Sequence, residues 1–563
     1  MTVMINKHLS TIFFTVLSIF SCAKHEETNQ INYGTLKLPK KPNIVWIVAE
    51  DLSPYIPTYG DSTVQTPNIS RLAREGVTYT HFYSPSGVCA PSRAAIVTGM
   101  YPTRIGAHNM RTGPWFRFTI KDKALKEYAK YGRKAYEALP PAGTHMLSTY
   151  LRKDGYYCSN NPKEDYQFRC ELTAWDESSF TAHWKNRKEN QPFFAIFNID
   201  VTHESMIWRK AKDSLFVDKD LDVSIPPYLP NTEIAKQDIR RNYSNIVEMD
   251  KRVGEILGEL EQAGQLENTI VFWYSDHGGP LPREKRTIYN TGLQVPMIIR
   301  FPNKQLAGST DSQMLSFIDL KPTVLSLVNI KPPDNLDGKA WMGKYAEHNK
   351  REYLFATADR FDQQTDKIRA VFNKKFKLIR NYNTQQPYYL PVKYRETMPI
   401  MKELLRLRDK DSLTLEQQLW FRKTKDSIEF FDMENDPYEF HNLADKKEYQ
   451  DKIGEMKSAL DHWIKSTDDK GQLTEDDYIA SIWPNGEQPK TAEPKLTIGN
   501  GEVSVSTETT GASIGYQWAK DESELTNSWD IYTGPIPIKP HNTLYVRAHR
   551  IGFKPSERVE QKF

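Results

Sequence analysis

The run Asn43-Ile44-Val45-Trp46-Ile47-Val48-Ala49 is apolar after its first residue and stops abruptly at Glu50-Asp51. A short apolar run without alternation reads as a strand buried on both faces, which parallel sheets require. Its two carboxylates then lie beyond the carboxyl end of the strand, where open α/β sheets bind their ligands. Further strand-like runs at 193–199, 269–274 and 295–300 alternate with helical stretches at 66–73, 144–153 and 239–263. That order predicts an α/β fold whose sheet is covered by helices on both faces.

A second pair of candidate ligands, Asp276-His277, follows the run Val271-Phe272-Trp273-Tyr274-Ser275. If both strands end at one sheet edge, adjacent carboxylates there are costly unless a cation neutralises them, and an oxygen-rich set suits Ca²⁺ or Mg²⁺. The third chemical segment is Cys89-Ala90-Pro91-Ser92-Arg93, followed by Ala94-Ala95-Ile96-Val97-Thr98-Gly99. Pro91 and Ser92 suit the first turn of a helix, whose free N–H groups and dipole favour an anion. Arg93 adds a forked positive charge beside the Cys89 thiol. The whole chain has 75 basic and 72 acidic side chains, a net charge of +3. Bulk charge therefore gives no reason to expect a nucleic-acid partner, and an anionic substrate has to be recognised by a local cluster.

Cys-x-Pro-Ser-Arg followed by Ala-Ala-x-x-Thr-Gly resembles the signature of the type I sulfatases, whose cysteine a separate maturing enzyme oxidises to Cα-formylglycine (3-oxoalanine). The resemblance runs from about residue 41 to 445 in six segments, and Ala49-Glu50-Asp51-Leu52-Ser53-Pro54 and Gly279-Pro280-Leu281-Pro282 are most similar to the sulfamidase-like and bacterial polysaccharide-utilisation subset. It implies an alkaline-phosphatase-like mixed sheet flanked by helices. It also implies one calcium ion, with magnesium as the alternative, held by Glu50, Asp51, Asp276, His277 and the modified Cys89. The family has Asp-Asp at the first pair, so Glu50 is a departure that leaves its coordination mode open.

Other roles follow from the same resemblance. Arg93 is expected to hold the formylglycine hydrate. His203, after Asp200-Val201-Thr202, is expected as general acid to the departing alcohol, and Lys285, in Lys-x-Thr-x-Tyr, as a sulfate-oxygen contact. Lys163 of Asn161-Pro162-Lys163-Glu164-Asp165 falls on a family lysine that binds substrate, while Asp165 stands where a histidine is usual. Arg283 and Arg286 are close by in sequence and face either the site or water.

At 563 residues the chain exceeds one ordinary domain. The expected divisions are a signal segment at 1–22, a linker at 23–40, a catalytic α/β domain at 41–350, a smaller α+β subdomain at 351–483 and an accessory β-sandwich at 484–563. Lys7-His8, the short apolar run 9–20 and Ser21-Cys22 read as an export signal too short to span a bilayer. Cys22 resembles a bacterial lipoprotein cleavage site, which implies a lipid anchor in the membrane and a periplasmic or cell-surface location, with plain secretion as the alternative. Cys158 and Cys170 form a disulfide or stay free and buried.

The resulting expectation is an exported sulfatase acting on O- or N-sulfate of a sulfated carbohydrate, an oligosaccharide of an algal polysaccharide such as ulvan or of a glycosaminoglycan. Alternatives are an aryl sulfatase, a related phosphomonoester or phosphonate hydrolase, and a glycan-binding surface lipoprotein whose site is dead because of Asp165.

Overall fold

The computed structural model describes residues 31–113, 134–347, 349 and 351–563. The expected signal segment, Cys22 and the first part of the linker lie outside them. Nine strands form the central sheet: β1 (Asn43–Ala49), β2 (Val77–Tyr83), β3 (Tyr157–Asn161), β4 (Glu177–Ser178), β5 (Phe193–Ile199), β6 (Thr269–Ser275), β7 (Gln294–Arg300), β8 (Ser309–Asp311) and β9 (Leu315–Ser316). Their order is β4-β3-β5-β1-β6-β7-β2-β8, with β9 also on β2. The five strands from β4 to β6 are mutually parallel, whereas β7 runs antiparallel to both β6 and β2. β1 is the middle strand of the site: every residue from 43 to 49 is buried, as its unbroken apolar run demands. Trp46 packs edge-on against Phe194 and Tyr274, and Val45, Ile47 and Ala49 feed the core on the opposite face.

The helices differ from the sequence expectation at their ends. The helix anticipated at 239–263 spans Glu233–Gln262, because Thr232 caps it nearly two turns earlier by accepting from the Ala235 N–H. The helix anticipated at 144–153 spans Leu147–Lys153. It starts late because the buried Glu171 carboxylate accepts from the Met146 N–H at 2.8 Å and the Thr149 hydroxyl at 2.8 Å, capping the helix there. The stretch near 66–73 becomes α1 (Pro67–Glu75), and the cysteine motif becomes α2 (Cys89–Thr98), buried along its whole length and ended by Gly99 at φ 70°.

A second, antiparallel sheet follows: β10 (Leu354–Ala358), β11 (Ile368–Phe372), β12 (Phe376–Asn381) and β13 (Ile428–Asp432), in that order. One face carries Val371, Leu378 and Phe430 against Ile453, Met456, Leu460 and Trp463 of the helix Gln450–Ser466. The other face, through Ala356, Ala370, Phe372 and Ile379, packs on Val88, Cys89 and Ala90, so it supports the start of α2. The last segment holds a three-stranded sheet of β14 (Lys495–Gly499), β15 (Glu502–Ser506) and β18 (Ile536–Pro537). A four-stranded sheet consists of β16 (Ser513–Ala519), β17 (Asp530–Ile531), β19 (Thr543–His549) and β20 (Val559–Lys562). Val503 and Val505 of one sheet share a cluster with Leu544 and Val546 of the other, and Trp529 and Tyr545 pack on Leu172 of the main domain. Cys158 and Cys170 are both buried and form no disulfide with each other, which decides the open alternative.

Candidate active site

Parallel register puts the ends of three strands at one level. Ala49 of β1 lies opposite Ile199 of β5 and Ser275 of β6, so Glu50-Asp51, Asp200–Thr202 with His203, and Asp276-His277 all emerge at the same edge. Asp51 adopts φ 49°, a left-handed conformation that a non-glycine residue holds only under constraint. The constraint is visible: its N–H donates to Asp276 Oδ1 at 3.1 Å, while the Asp276 N–H donates to the Ala49 carbonyl at 3.1 Å. Gly278 completes the turn, since a Cβ there would come within 2.1 Å of the Thr291 carbonyl oxygen.

The start of α2 meets this edge. Cys89 is 2 % exposed, and its Sγ lies 3.2 Å from His277 Nε2 and 3.9 Å from Asp51 Oδ1. Ser92 anchors the helix by donating its hydroxyl to the Asp276 carbonyl. One donor atom each from Asp51, Cys89, Asp276 and His277 lies within 4.8 Å of all the others, and all four residues are buried. His277 Nδ1 donates to the Gly278 carbonyl at 3.0 Å, which turns Nε2 toward the cluster as a metal-ligating imidazole needs. Two buried carboxylates and an imidazole are a donor set that fits a divalent cation.

Glu50 stands apart from that group of four. Its carboxylate takes Lys163 Nζ at 2.8 Å and lies 3.7 Å from an Arg93 Nη, so the longer side chain reaches sideways into an ion pair. Arg93 Nε donates to Asp276 Oδ2 at 2.9 Å and Nη1 to Asn198 Oδ1 at 2.7 Å. Lys285 Nζ bridges both Asp51 oxygens at 2.9 and 2.7 Å and lies 3.3 Å from His203 Nε2. Lys163, Arg93, Lys285 and His203 are thus brought around Cys89. Asp165, at φ 53°, is near enough to Arg111 and Lys163 for its charge to act on both.

The electrostatics follow from this packing. Burial works against the charge on Asp51, yet Lys285, His203 and His277 hold its carboxyl well below the usual range. Burial likewise opposes ionisation of Cys89, but Lys285 and Lys163 outweigh it and bring the thiol down to about 6. For His277 desolvation favours the neutral ring, and Asp276, Cys89 and Asp51 prevail to raise it to about 10. The site is a pocket built to hold negative charge against fixed positive groups.

Several participants carry no signal in the sequence. Glu204 donates its N–H to Asp51 Oδ2 at 2.7 Å, and its carboxylate takes both Nη atoms of Arg286 at 2.8 Å. Arg286 Nε reaches Asp362 Oδ2 at 2.8 Å, and Arg111 Nε approaches the other oxygen of Asp362 at 3.2 Å. Neither nearby arginine points its charge into water. Arg283 is 2 % exposed, donates to the Tyr438 carbonyl at 2.7 Å and stacks 4.1 Å from the Tyr289 ring centroid.

Comparison with known proteins shows the family. Residues 42–330 match the family profile described as Sulfatase, and residues 283–416 match the one described as N-sulphoglucosamine sulphohydrolase, C-terminal. An ulvan-active sulfatase of Formosa agariphila is 48% identical over 561 aligned residues, covering 93% of this chain and 92% of that protein. The human N-sulphoglucosamine sulphohydrolase is 24% identical, covering 76% of this chain and 90% of that one. Among solved structures, a protein crystallised as a putative sulfatase from Bacteroides thetaiotaomicron superposes with a TM-score of 0.55 at 18% identity, over 77% of this chain and 94% of that one. A structure in complex with its substrate D-glucosamine-2-N,6-O-disulfate superposes at 0.51 with 18% identity, over 76% of this chain and 98% of that one. The last two likenesses speak to the fold.

Proposed function

This chain belongs to the sulfatase family and is a sulfuric ester hydrolase, and we propose that it removes sulfate from an oligosaccharide of a sulfated polysaccharide, ulvan foremost. The convergence of Cys89 with Asp51, Asp276, His277 and Lys285 carries the reading, and the 48% identical ulvan-active relative supports the substrate class. Cys89 is the residue converted to Cα-formylglycine by a separate maturing enzyme; its hydrated aldehyde supplies a hydroxyl nucleophile to the sulfur. Asp51, Asp276 and His277 would hold the calcium ion, which when bound supplies positive charge to the sulfate oxygens. Glu50 acts by fixing Lys163, a second contribution to the same ring of charge.

The other residues have direct tasks. Lys163 and Lys285 face the sulfate oxygens, where negative charge spreads as the S–O bond breaks. Arg93 holds the nucleophilic end of residue 89 through its ion pair with Asp276. His203, half-buried at the mouth, hands a proton to the departing sugar oxygen. The protein is exported and carried by a lipid on Cys22 at the periplasmic or outer surface, where polysaccharide fragments arrive.

Intact-mass measurement after coexpression with a maturing enzyme, alongside sulfate release from ulvan oligosaccharides, tests the reading. We expect the mass shift of a thiol converted to an aldehyde at residue 89 and release that depends on it. Full activity with an unmodified thiol would sink the formylglycine assignment, and release from N-sulfated glucosamine alone would move the substrate to the glycosaminoglycans.

A further inference from the structure

Arg395 is 4 % exposed and, among the described residues, joins no ion pair. Its Nη2 donates to the Leu390 carbonyl at 2.7 Å, the rings of Trp420 and Tyr389 flank it at 4.9 and 5.3 Å, and its Nε has no hydrogen-bond partner. A buried guanidinium lacking a counter-charge is costly to keep. It borders a cavity of about 40 Å³ together with Arg286, Tyr388, Asp359 and Asp366. Both carboxylates on that wall are already engaged, Asp359 with Arg369 at 3.0 Å and Asp366 with Lys425. Arg286 is matched by Glu204 and Asp362. Among the charged groups of that wall, Arg395 is the one that no carboxylate pairs directly, Glu204 and Asp362 acting on it only from farther off. Burial first, and then repulsion by Arg286, bring its guanidinium down to about 10, which an arriving anion would reverse.

The cavity shares a wall with the reaction centre. Arg286 runs from it to Glu204, whose Oε1 lies 3.3 Å from Lys285 Nζ. Tyr394, the residue before Arg395, places its ring centroid 6.4 Å from that of His203. At roughly 10–15 Å³ per water, the space takes about three waters. It suits a carboxylate or a sulfate head and is too small for a sugar ring.

We propose that this cavity is an anion subsite of the substrate cleft, in which Arg395 receives a carboxylate or a second sulfate borne by the sugar next to the one carrying the reacting ester. The subsite rests on the sulfatase reading above and adds a demand that the substrate be charged at two places. Arg395 is then a specificity-determining residue, and its planar fork suits either oxyanion.

The test uses full-length Cys89→Ala protein, which cannot consume its ligand, and three disaccharides with one sulfate ester each. Their neighbouring sugar is a uronic acid, a sugar with a second sulfate, or a neutral hexose. Calorimetry is expected to show one of the anionic ligands, or both, bound tighter than the neutral one by about tenfold or more. The tighter of the two identifies the natural anion. Adding Arg395→Gln should remove the preference by weakening the anionic ligands alone, and Arg395→Lys should keep part of it. Indistinguishable affinities, undetectable binding included, a preference that survives Arg395→Gln, or an equal loss for the neutral ligand would each overturn the subsite. Sulfate release by the Cys89 protein is read separately. Release without anion preference defeats the subsite alone, and preference without release defeats the sulfatase reading alone.

Discussion

At the scale of single residues, the groups that converge at the sheet edge stand out in the chain because each follows a strand or opens a helix within a short, ordered motif. Cys89, Asp51, Asp276 and His277 could be named from the chain, and the parallel register of β5, β1 and β6 brings them together. Glu204, Asp362 and Arg395 could not, since their meaning lies in partners far along the chain, such as Arg286 at 82 and 76 positions from the first two. We expect Cys89→Ala to lower sulfate release by roughly 10⁴-fold or more, with the same melting temperature, in a turnover assay beside a thermal scan. His203→Ala should lower kcat by about 10²–10⁴-fold on a sugar sulfate and much less on an aryl sulfate whose leaving group needs no proton. An equal loss on both would remove His203 from the acid role. Chelation should abolish release, and returning calcium should restore it; activity unaffected by exhaustive chelation would exclude the proposed ion.

At the scale of elements, apolar runs were readable and polar strands were not. β1 and β6 could be read as buried strands because nothing but a two-sided core accommodates them. β3, Tyr-Cys-Ser-Asn-Asn, has no hydrophobic pattern and is a strand because β5 and β4 supply its partners on either side. Helix starts were missed where the cap comes from afar, as with Glu171 and the helix Leu147–Lys153. That carboxylate gives a pH prediction. Burial disfavours its charge, but His145 at 2.5 Å, the Met146 N–H and the Thr149 hydroxyl hold it down to about 2 from an ordinary 4.5. A depressed carboxyl contributes stability fully above about pH 4.5 and loses it as pH falls toward 2. Glu171→Gln should therefore cost about 1–3 kcal/mol at pH 7 and progressively less below pH 4, measured by urea midpoints at both values. A constant difference across that range would show that the charge is irrelevant to the cap.

At the scale of the molecule, the order of segments was legible and their mutual packing was not. The terminal β module could be read as an appendage, yet Ile551 belongs to the main hydrophobic core and Gln488 donates to Glu137 while accepting from Arg169. Together with the Trp529 contact on Leu172, these burials tie the module to the catalytic domain, each fully buried side chain contributing about 1.5–3 kcal/mol. We expect one thermal transition for the full chain, and a fall in Tm of at least about 5 °C when residues 484–563 are removed. Two separate transitions would show that the module stands alone.

Asp362 ties Arg111 of the first half of the chain to Arg286, from a loop that belongs to the second sheet. The convergent groups thus sit on the strand ends of the central sheet, while Asp362 reaches them from the segment that carries the second sheet. On the proposed reading, exchanging that later segment would change which polymer is held without replacing Cys89, Asp51, Asp276 or His277.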